Sequence, residues 1–211
     1  MRVRNIKALK VGGVPLLLLC AVSLFPLLSK GFLPFPSLSQ AEPVSPPKTS
    51  LEYLLMQQIH GIKPHMASEL SGLIHEESQR MGLDPYLILG MISVESSFNP
   101  RAVSHKGARG LMQIMPLVAK DLAEELSLDP FYSQEILFDP AHNIRIGIHY
   151  LAQLVHRFDD LEIALVAYNY GPTYVRDRLA QGHTLPKTYP SKVLKAAQHF
   201  KKGLHPYSDL G

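Results

Sequence analysis

The 211-residue chain contains no tryptophan and a single cysteine, Cys20. No cysteine follows Glu42, so that part of the chain has neither a disulfide framework nor a thiolate nucleophile. Cysteine-peptidase chemistry is excluded. An excess of positive charge is also missing where it would matter. Of 21 basic residues, Arg2, Arg4, Lys7, Lys10 and Lys30 precede the first acid, Glu42, leaving 16 basic against 18 acidic residues beyond it. A nucleic-acid module needs a concentrated positive face, so nucleic acid is not expected as a partner. There is no phosphate-cradling glycine loop, no run of convincing strands and no internal repeat. With 46% hydrophobic and 18% charged residues, the composition is that of an ordinary globular protein, with room for one folded domain.

What is present begins with a segmented N-terminus. Four basic residues precede an apolar run from Val11 to Leu28, broken only by small residues and two prolines. That order is a secretory signal's, and the Lys/Arg bias keeps the basic end cytoplasmic. Ser39-Gln40-Ala41 supplies a small-x-small cleavage site. As a helix, an 18-residue run would reach about 27 Å, near the roughly 30 Å hydrocarbon core, so a retained anchor is the other reading. Leu17-Leu18-Leu19-Cys20 is a poor lipoprotein signal, because a leucine stands where a small residue is needed. Gly31 to Ser50, with Pro34, Pro36, Pro43, Pro46 and Pro47 among serines, reads as a semi-extended tether. The division is residues 1–41 as signal or anchor with the start of the tether, 42–50 as tether, and 51–205 as the folded domain.

Within 51–205 the periodicity is helical. Helices are expected at Leu51–Ile59, at Pro64–Met81, and from Asp84-Pro85 to Phe98. Leu111–Leu126 reads as a turn plus a helix with Pro116 near its start. Asp139-Pro140 repeats the cap-and-proline signal, and Leu161–Tyr168, Thr173–Leu179 and Ser191–Phe200 complete an all-α set.

Three stretches carry candidate chemistry. Glu95 sits near the C-terminal end of an apolar helix, with no Lys or Arg within four positions. The missing counterion and the helix dipole both favour the protonated acid, and burial would add to them. An acid still protonated near neutrality suits donation to a glycosidic oxygen. Gly107 to Pro116 supplies glycines for tight turns, an amide at Gln113 that both donates and accepts, and the soft side chains of Met112 and Met115. Tyr168 and Asn169, ahead of Gly171-Pro172, lie where a helix end places side chains at a cleft edge. Taken singly, each of these stretches also fits an ordinary surface glutamate, a loop leading into a helix, or a cap with packing aromatics.

Together they resemble the soluble-lytic-transglycosylase type of catalytic domain, glycoside hydrolase family 23, which includes goose-type lysozyme. The words shared are Glu95-Ser96 with Asn99-Pro100, Ser104, and Gly110 to Pro116. Asp139-Pro140 with Asn143 and Gly147 to Leu151 follows, and then Ala167 to Pro172 as Ala-Tyr-Asn-x-Gly-Pro. The resemblance covers roughly residues 70–202 and implies an all-α, lysozyme-like fold. It implies Glu95 as the acid/base, with cleft roles for Ser104, Met112, Gln113, Met115, Tyr168, Asn169 and Tyr189. Tyr189-Pro190-Ser191-Lys192-Val193 is the nearest match to the final Tyr-Val-x-x-Val motif; Pro190 replaces a valine, and Leu185 stands where a glutamate is frequent.

The implied substrate is the peptidoglycan glycan strand, cut between N-acetylmuramic acid and N-acetylglucosamine with a 1,6-anhydromuramoyl product. The implied place is the periplasm, attached to the bacterial inner membrane if the first segment is uncleaved. A goose-type hydrolase and a non-catalytic peptidoglycan-binding protein are the alternatives. General wall turnover and local wall opening for a secretion or flagellar machine both fit. No cofactor is expected. His75-Glu76-Glu77-Ser78-Gln79 misses the zinc motif at its last position. His142, His149 and His156 recur about 10 Å apart along a helix, too far to share a metal, and read as a partly exposed polar stripe.

Overall fold

The computed structural model describes residues 50–123, 125–126 and 134–203. The signal or anchor, Cys20, residues 42–49 of the tether and the last residues of the expected domain lie outside the described residues. Eight α-helices are described: α1 (Ser50–Gln58), α2 (Pro64–Arg80), α3 (Pro85–Ser96), α4 (Pro116–Leu122), α5 (Pro140–Phe158), α6 (Leu161–Tyr170), α7 (Pro172–Ala180) and α8 (Thr188–Lys201). A 3₁₀ turn, Gln134–Phe138, precedes α5 and was not anticipated from periodicity. Among the described residues the only extended pairings are isolated bridges, Val103 with Arg109 and Arg109 with Ile114, and no helix is long and apolar enough to cross a membrane.

Local chemistry sets the helix starts. Prolines occupy the first turn of α2, α3, α4, α5 and α7, where no backbone donor is lost. Asp84, Asp139 and Asp160 accept from the backbone N–H of Tyr86, His142 and Ile163 at 2.9, 2.9 and 2.8 Å, capping α3, α5 and α6.

Helix α3 lies at the centre. Every residue from Leu87 to Ser93 is buried, the pattern of a helix covered on all sides. It packs against α2 and most extensively against α8, while α5 packs against α2, α4 and α6. Gly90 permits the α3–α8 approach, since a Cβ there would lie 2.7 Å from the Val193 carbonyl oxygen. Helix α3 stops at Ser96, short of the expected Phe98. Ser97 and Phe98 both adopt left-handed backbone conformations, with φ of 48° and 61°. That conformation is costly for residues bearing a Cβ, and tertiary packing holds it. Phe98 is buried, edge-on to Phe200 of α8 with ring centroids 5.7 Å apart.

Candidate active site

Glu95 is set one residue before the end of α3, where the chain breaks away from the core. It opens onto a cavity of about 590 Å³, a size typical of ligand sites. The wall comes from four places: Glu95, the segment Ser104–Val118, Tyr150 of α5, and Tyr168 to Gly171 at the α6–α7 junction. Of the residues expected in a cleft, Ser104, Gln113, Met115, Tyr168 and Asn169 line this cavity with Glu95.

The segment between α3 and α4 is tied in place by its own side chains. Ser96 Oγ donates to the Leu111 carbonyl oxygen at 2.7 Å, fastening the end of α3 to the loop. Ser104 Oγ accepts from the N–H groups of Ala108 at 3.0 Å and Lys106 at 3.3 Å, shaping a tight reversal. Gln113 adopts φ of 49°, and its Nε2 donates to the carbonyl oxygens of Gly110 at 2.9 Å and Ala102 at 3.2 Å. The amide is therefore oriented before any ligand arrives.

Asn143, fully buried on α5, is the hub behind that loop. Its Nδ2 donates to the carbonyl oxygens of Arg109 and Leu137, each at 2.8 Å, and its Oδ1 accepts from the Met112 N–H at 2.7 Å. Gly110 fits against it with φ of 76°; a Cβ there would lie 2.1 Å from the Leu137 carbonyl oxygen and 2.3 Å from Asn143 Nδ2. Any other residue at 110 would displace the hub.

Met112 departs from the sequence expectation. Its side chain is fully buried, seated against Gly147, and is not part of the cavity wall. What it offers the site is its carbonyl oxygen, which accepts from Tyr168 Oη at 2.9 Å. Tyr168 in turn meets Tyr150 with ring centroids 5.3 Å apart. The Met-Gln block thus divides, with Met112 turned into the core and Gln113 and Met115 turned to the cavity.

Electrostatics single out Glu95. Burial pushes its carboxyl up to about 7, against a hydrogen bond from Tyr189 Oη that favours the ionised form. The sequence argument gave the right direction, with burial the leading cause. Tyr189 is buried on α8 and is not itself a wall residue. Burial, with the neighbouring Glu95 charge adding to it, raises the Tyr168 and Tyr189 hydroxyls well above their usual range. Both remain neutral donors.

Among the described residues, Glu95 is the single carboxylate in the cavity wall. Glu125 lies beyond α4 and accepts from Gln153 Nε2 at 2.7 Å. Asp160 caps α6 and Asp159 closes α5. The histidine stripe needs correction. His142 is exposed and pairs with Asp139 at 2.7 Å, whereas His149 is buried, 3.3 Å from the buried Glu77. Glu77 also receives Arg145 Nε at 2.9 Å and Arg80, so this histidine belongs to an ion-pair cluster joining α2 to α5. Among the described residues no group of three His, Cys, Asp or Glu side chains is placed to hold a metal ion.

Several wall residues were not singled out from sequence: His105, Lys106, Leu117, Val118, Tyr150 and Tyr170. Tyr150 had a signal, since it is the tyrosine of the Gly147–Leu151 element. Tyr170 had none, because it fills the position the Ala-Tyr-Asn-x-Gly-Pro pattern leaves open.

A family model described as the transglycosylase SLT domain matches residues 72–189, more than half of the chain. The chain belongs to the transglycosylase SLT domain family. It is 38% identical over 103 residues to membrane-bound lytic murein transglycosylase C of Mannheimia succiniciproducens, covering 48% of this chain and 29% of that protein. It is 37% identical over 118 residues to the transglycosylase of Enterobacteria phage PRD1, covering 56% and 39%. Among solved structures it is similar to the 70 kDa soluble lytic transglycosylase of Escherichia coli, with a TM-score of 0.55 and 27% identity over 64% of this chain and 25% of that one. The chain thus spans well under half the length of these relatives. The SLT-domain match runs from the middle of α2 into α8, so it takes in every wall of the cavity and the Tyr189 contact.

Proposed function

We propose that the chain is a peptidoglycan lytic transglycosylase in which residues 51–205 form the catalytic domain and Glu95 is the acid/base. The observation that carries this reading is a carboxyl held at about 7 in a cavity whose wall, among the described residues, contains no second carboxylate. Ordinary glycosidases flank the scissile bond with two carboxylates. A wall with one suits a substrate that supplies its own second group.

Protonated Glu95 gives its proton to the oxygen that links C1 of N-acetylmuramic acid to N-acetylglucosamine. The C1–O bond breaks, the N-acetylglucosamine end leaves as an alcohol, and the muramoyl acetamido oxygen bonds to C1. Glu95, now a carboxylate, takes the proton from the muramoyl C6 hydroxyl, whose oxygen attacks C1 and releases the acetamido group. Glu95 is restored, no water is consumed, and the product is the 1,6-anhydro sugar. A group near 7 suits both halves, because neither its protonated nor its ionised form is costly near neutrality.

The other residues have supporting roles in this reading. Ser104, Gln113, Met115, Tyr168 and Asn169 contact the glycan strand. Tyr189 positions and tunes Glu95, and Met112 holds Tyr168 through its carbonyl oxygen. Lys106 brings positive charge to the wall, which suits a strand carrying carboxylates. The basic N-terminus and the apolar run after it put the domain on the periplasmic side of a bacterial inner membrane, either released or held by that run.

The deciding experiment is mass spectrometry of muropeptides released from purified sacculi by the full chain in detergent, with Glu95→Gln in parallel. Anhydromuramoyl products from the parent alone are the expected result. Products heavier by one water would make the enzyme a goose-type hydrolase. Equal release by parent and variant would remove Glu95 as the catalyst, and no release from either would leave a peptidoglycan-binding protein.

A further inference from the structure

Tyr170 ends α6 at the edge of the cavity and is 46% exposed, one of the most exposed large apolar side chains described. An exposed tyrosine on a helix end is ordinarily free to change rotamer. This one is held. Gly171, with φ of 92°, turns the chain, and Pro172 starts α7 at once, bringing Tyr174 back against Tyr170. The two rings stack with centroids 5.1 Å apart and planes within 23°. The Arg178 guanidinium lies 5.8 Å from the Tyr174 centroid, and its Nε donates to the Thr184 carbonyl oxygen at 3.0 Å. Tyr170, Tyr174 and Arg178 therefore form a ladder whose lowest rung is tied to backbone.

We propose that Tyr170 is a stacking platform for a pyranose ring of a β-linked N-acetylhexosamine strand, at the α6–α7 edge of the cavity. One face of its ring is taken by Tyr174, which leaves the other face and the hydroxyl edge for a ligand. A planar aromatic with a polar rim matches a sugar ring, which presents a flat array of C–H groups bordered by hydroxyls. The ladder removes the entropy cost of ordering the ring when ligand binds, the usual advantage of a rigid tyrosine in a binding surface. Two further exposed apolar side chains reach the same cavity from the start of α4, Met115 and Leu117, at 39% and 67% exposure. The wall thus offers apolar surface from two separate elements, as an elongated glycan requires. Tyr170 contributes to grip and not to bond breaking, so it is a specificity-determining residue. The inference rests on the glycan-cleaving reading above and extends it to a residue the family pattern leaves unspecified.

The test uses the full chain in detergent, carrying Glu95→Gln, titrated calorimetrically with chitohexaose. Tyr170→Ala is expected to weaken binding roughly three- to tenfold, the scale of one lost stacking partner. Tyr170→Phe keeps the ring and stays within about twofold, while Tyr174→Ala, which frees Tyr170, gives a smaller loss than Tyr170→Ala. With Glu95 intact, Tyr170→Ala raises the sacculus concentration for half-maximal release and leaves the maximal rate within about twofold. Thermal unfolding of each variant separates a binding loss from a folding loss. Unchanged chitohexaose affinity in Tyr170→Ala, an equal loss in Tyr170→Phe, or no binding by the unsubstituted background would overturn the platform. Chitohexaose binding that depends on Tyr170 without any muropeptide release would sink the transglycosylase reading and keep the platform. Muropeptide release indifferent to Tyr170→Ala would do the reverse.

Discussion

The Tyr189 hydroxyl, near the start of α8, donates to Oε1 of Glu95, near the end of α3, across 94 residues of sequence. This bond opposes burial. It stabilises the ionised carboxylate, while removal from water stabilises the acid, and the balance stands at about 7. The close α3–α8 packing at Gly90, one turn back along α3 from Glu95, sets the distance over which the bond forms.

Removing only the Tyr189 hydroxyl tests that balance. In Tyr189→Phe the ionised form loses a donor, so the Glu95 pKa rises further. A hydrogen bond to a charged group is worth about 1.5–3 kcal/mol, which corresponds to a shift on the order of one unit or more. The alkaline limb of the pH–rate profile is expected to move upward by about that amount, because the resting enzyme must hold the proton that it donates. An unmoved limb would show that the bond does not tune Glu95.

Glu95→Gln is expected to lower muropeptide release by roughly 10²- to 10⁴-fold, the contribution of a positioned acid/base. It should also stabilise the fold at alkaline pH. The folded-state pKa, about 7, lies above the ordinary 4.5, so the native state binds the extra proton between those values and loses stability as pH rises through them. The variant carries no such penalty. Its unfolding free energy should exceed the parent's by on the order of 1–3 kcal/mol near pH 8 and match it near pH 4. Urea titrations at both pH values measure this, and a pH-independent difference would contradict it.

Asn143→Ala should be among the most damaging single changes outside the cavity wall. It leaves the Leu137 carbonyl oxygen and the Met112 N–H without their partner, and the Arg109 carbonyl oxygen with the Ile114 N–H alone. Each buried orphan costs roughly 1–3 kcal/mol, so a total loss of about 3–5 kcal/mol is expected after relaxation. Activity should fall with it, since this hub fixes the loop carrying Gln113. Chemical unfolding checks the value, and a cost under about 1 kcal/mol would mean the hub is dispensable.

Glu77 tests the α2–α5 ion-pair cluster. Burial acts to raise its pKa, but the hydrogen bonds from Arg145 and Arg80, the Arg80 charge and His149 outweigh it, and the carboxyl is held below its ordinary value. Its stabilising effect is therefore full above the ordinary 4.5 and fades as pH falls through the lowered folded value. Glu77→Gln is expected to cost about 1–2 kcal/mol near neutrality, because the half-exposed Arg80 and Arg145 guanidinium groups lose their buried anion, and less as pH drops below about 4.5. Unfolding curves between about pH 3 and pH 7 would show the gap closing; a constant gap would mean the charge is not what stabilises.

Much of the secondary structure was legible because the relevant forces are local. Asp-Pro at 84–85 and 139–140 starts α3 and α5 as expected, since a cap and a fixed φ act within one turn. The end of α3 was missed by two residues because nothing local stops it there; the buried Phe98 pulls the backbone into a left-handed turn. The start of α8 lies three residues ahead of the expected Ser191 for a similar reason. Tyr189 and Pro190 look like loop residues in sequence but are buried in the helix's first turn. The family resemblance implies cleft roles for both Met112 and Gln113, yet Gly147 opens a slot that takes Met112 into the core.

The sequence by itself determined the all-α class, the order of helices and the family, because caps, prolines, helical spacing and ordered motif words are written in adjacent residues. It also determined that Glu95 has no neighbouring countercharge. Only the tertiary structure decided how far that carboxyl is buried, that Tyr189 reaches it, that no second carboxylate among the described residues joins it in the wall, and that His149 faces Glu77 instead of solvent. These are properties of distances between residues tens of positions apart, and burial and electrostatics depend on such distances rather than on spacing along the chain.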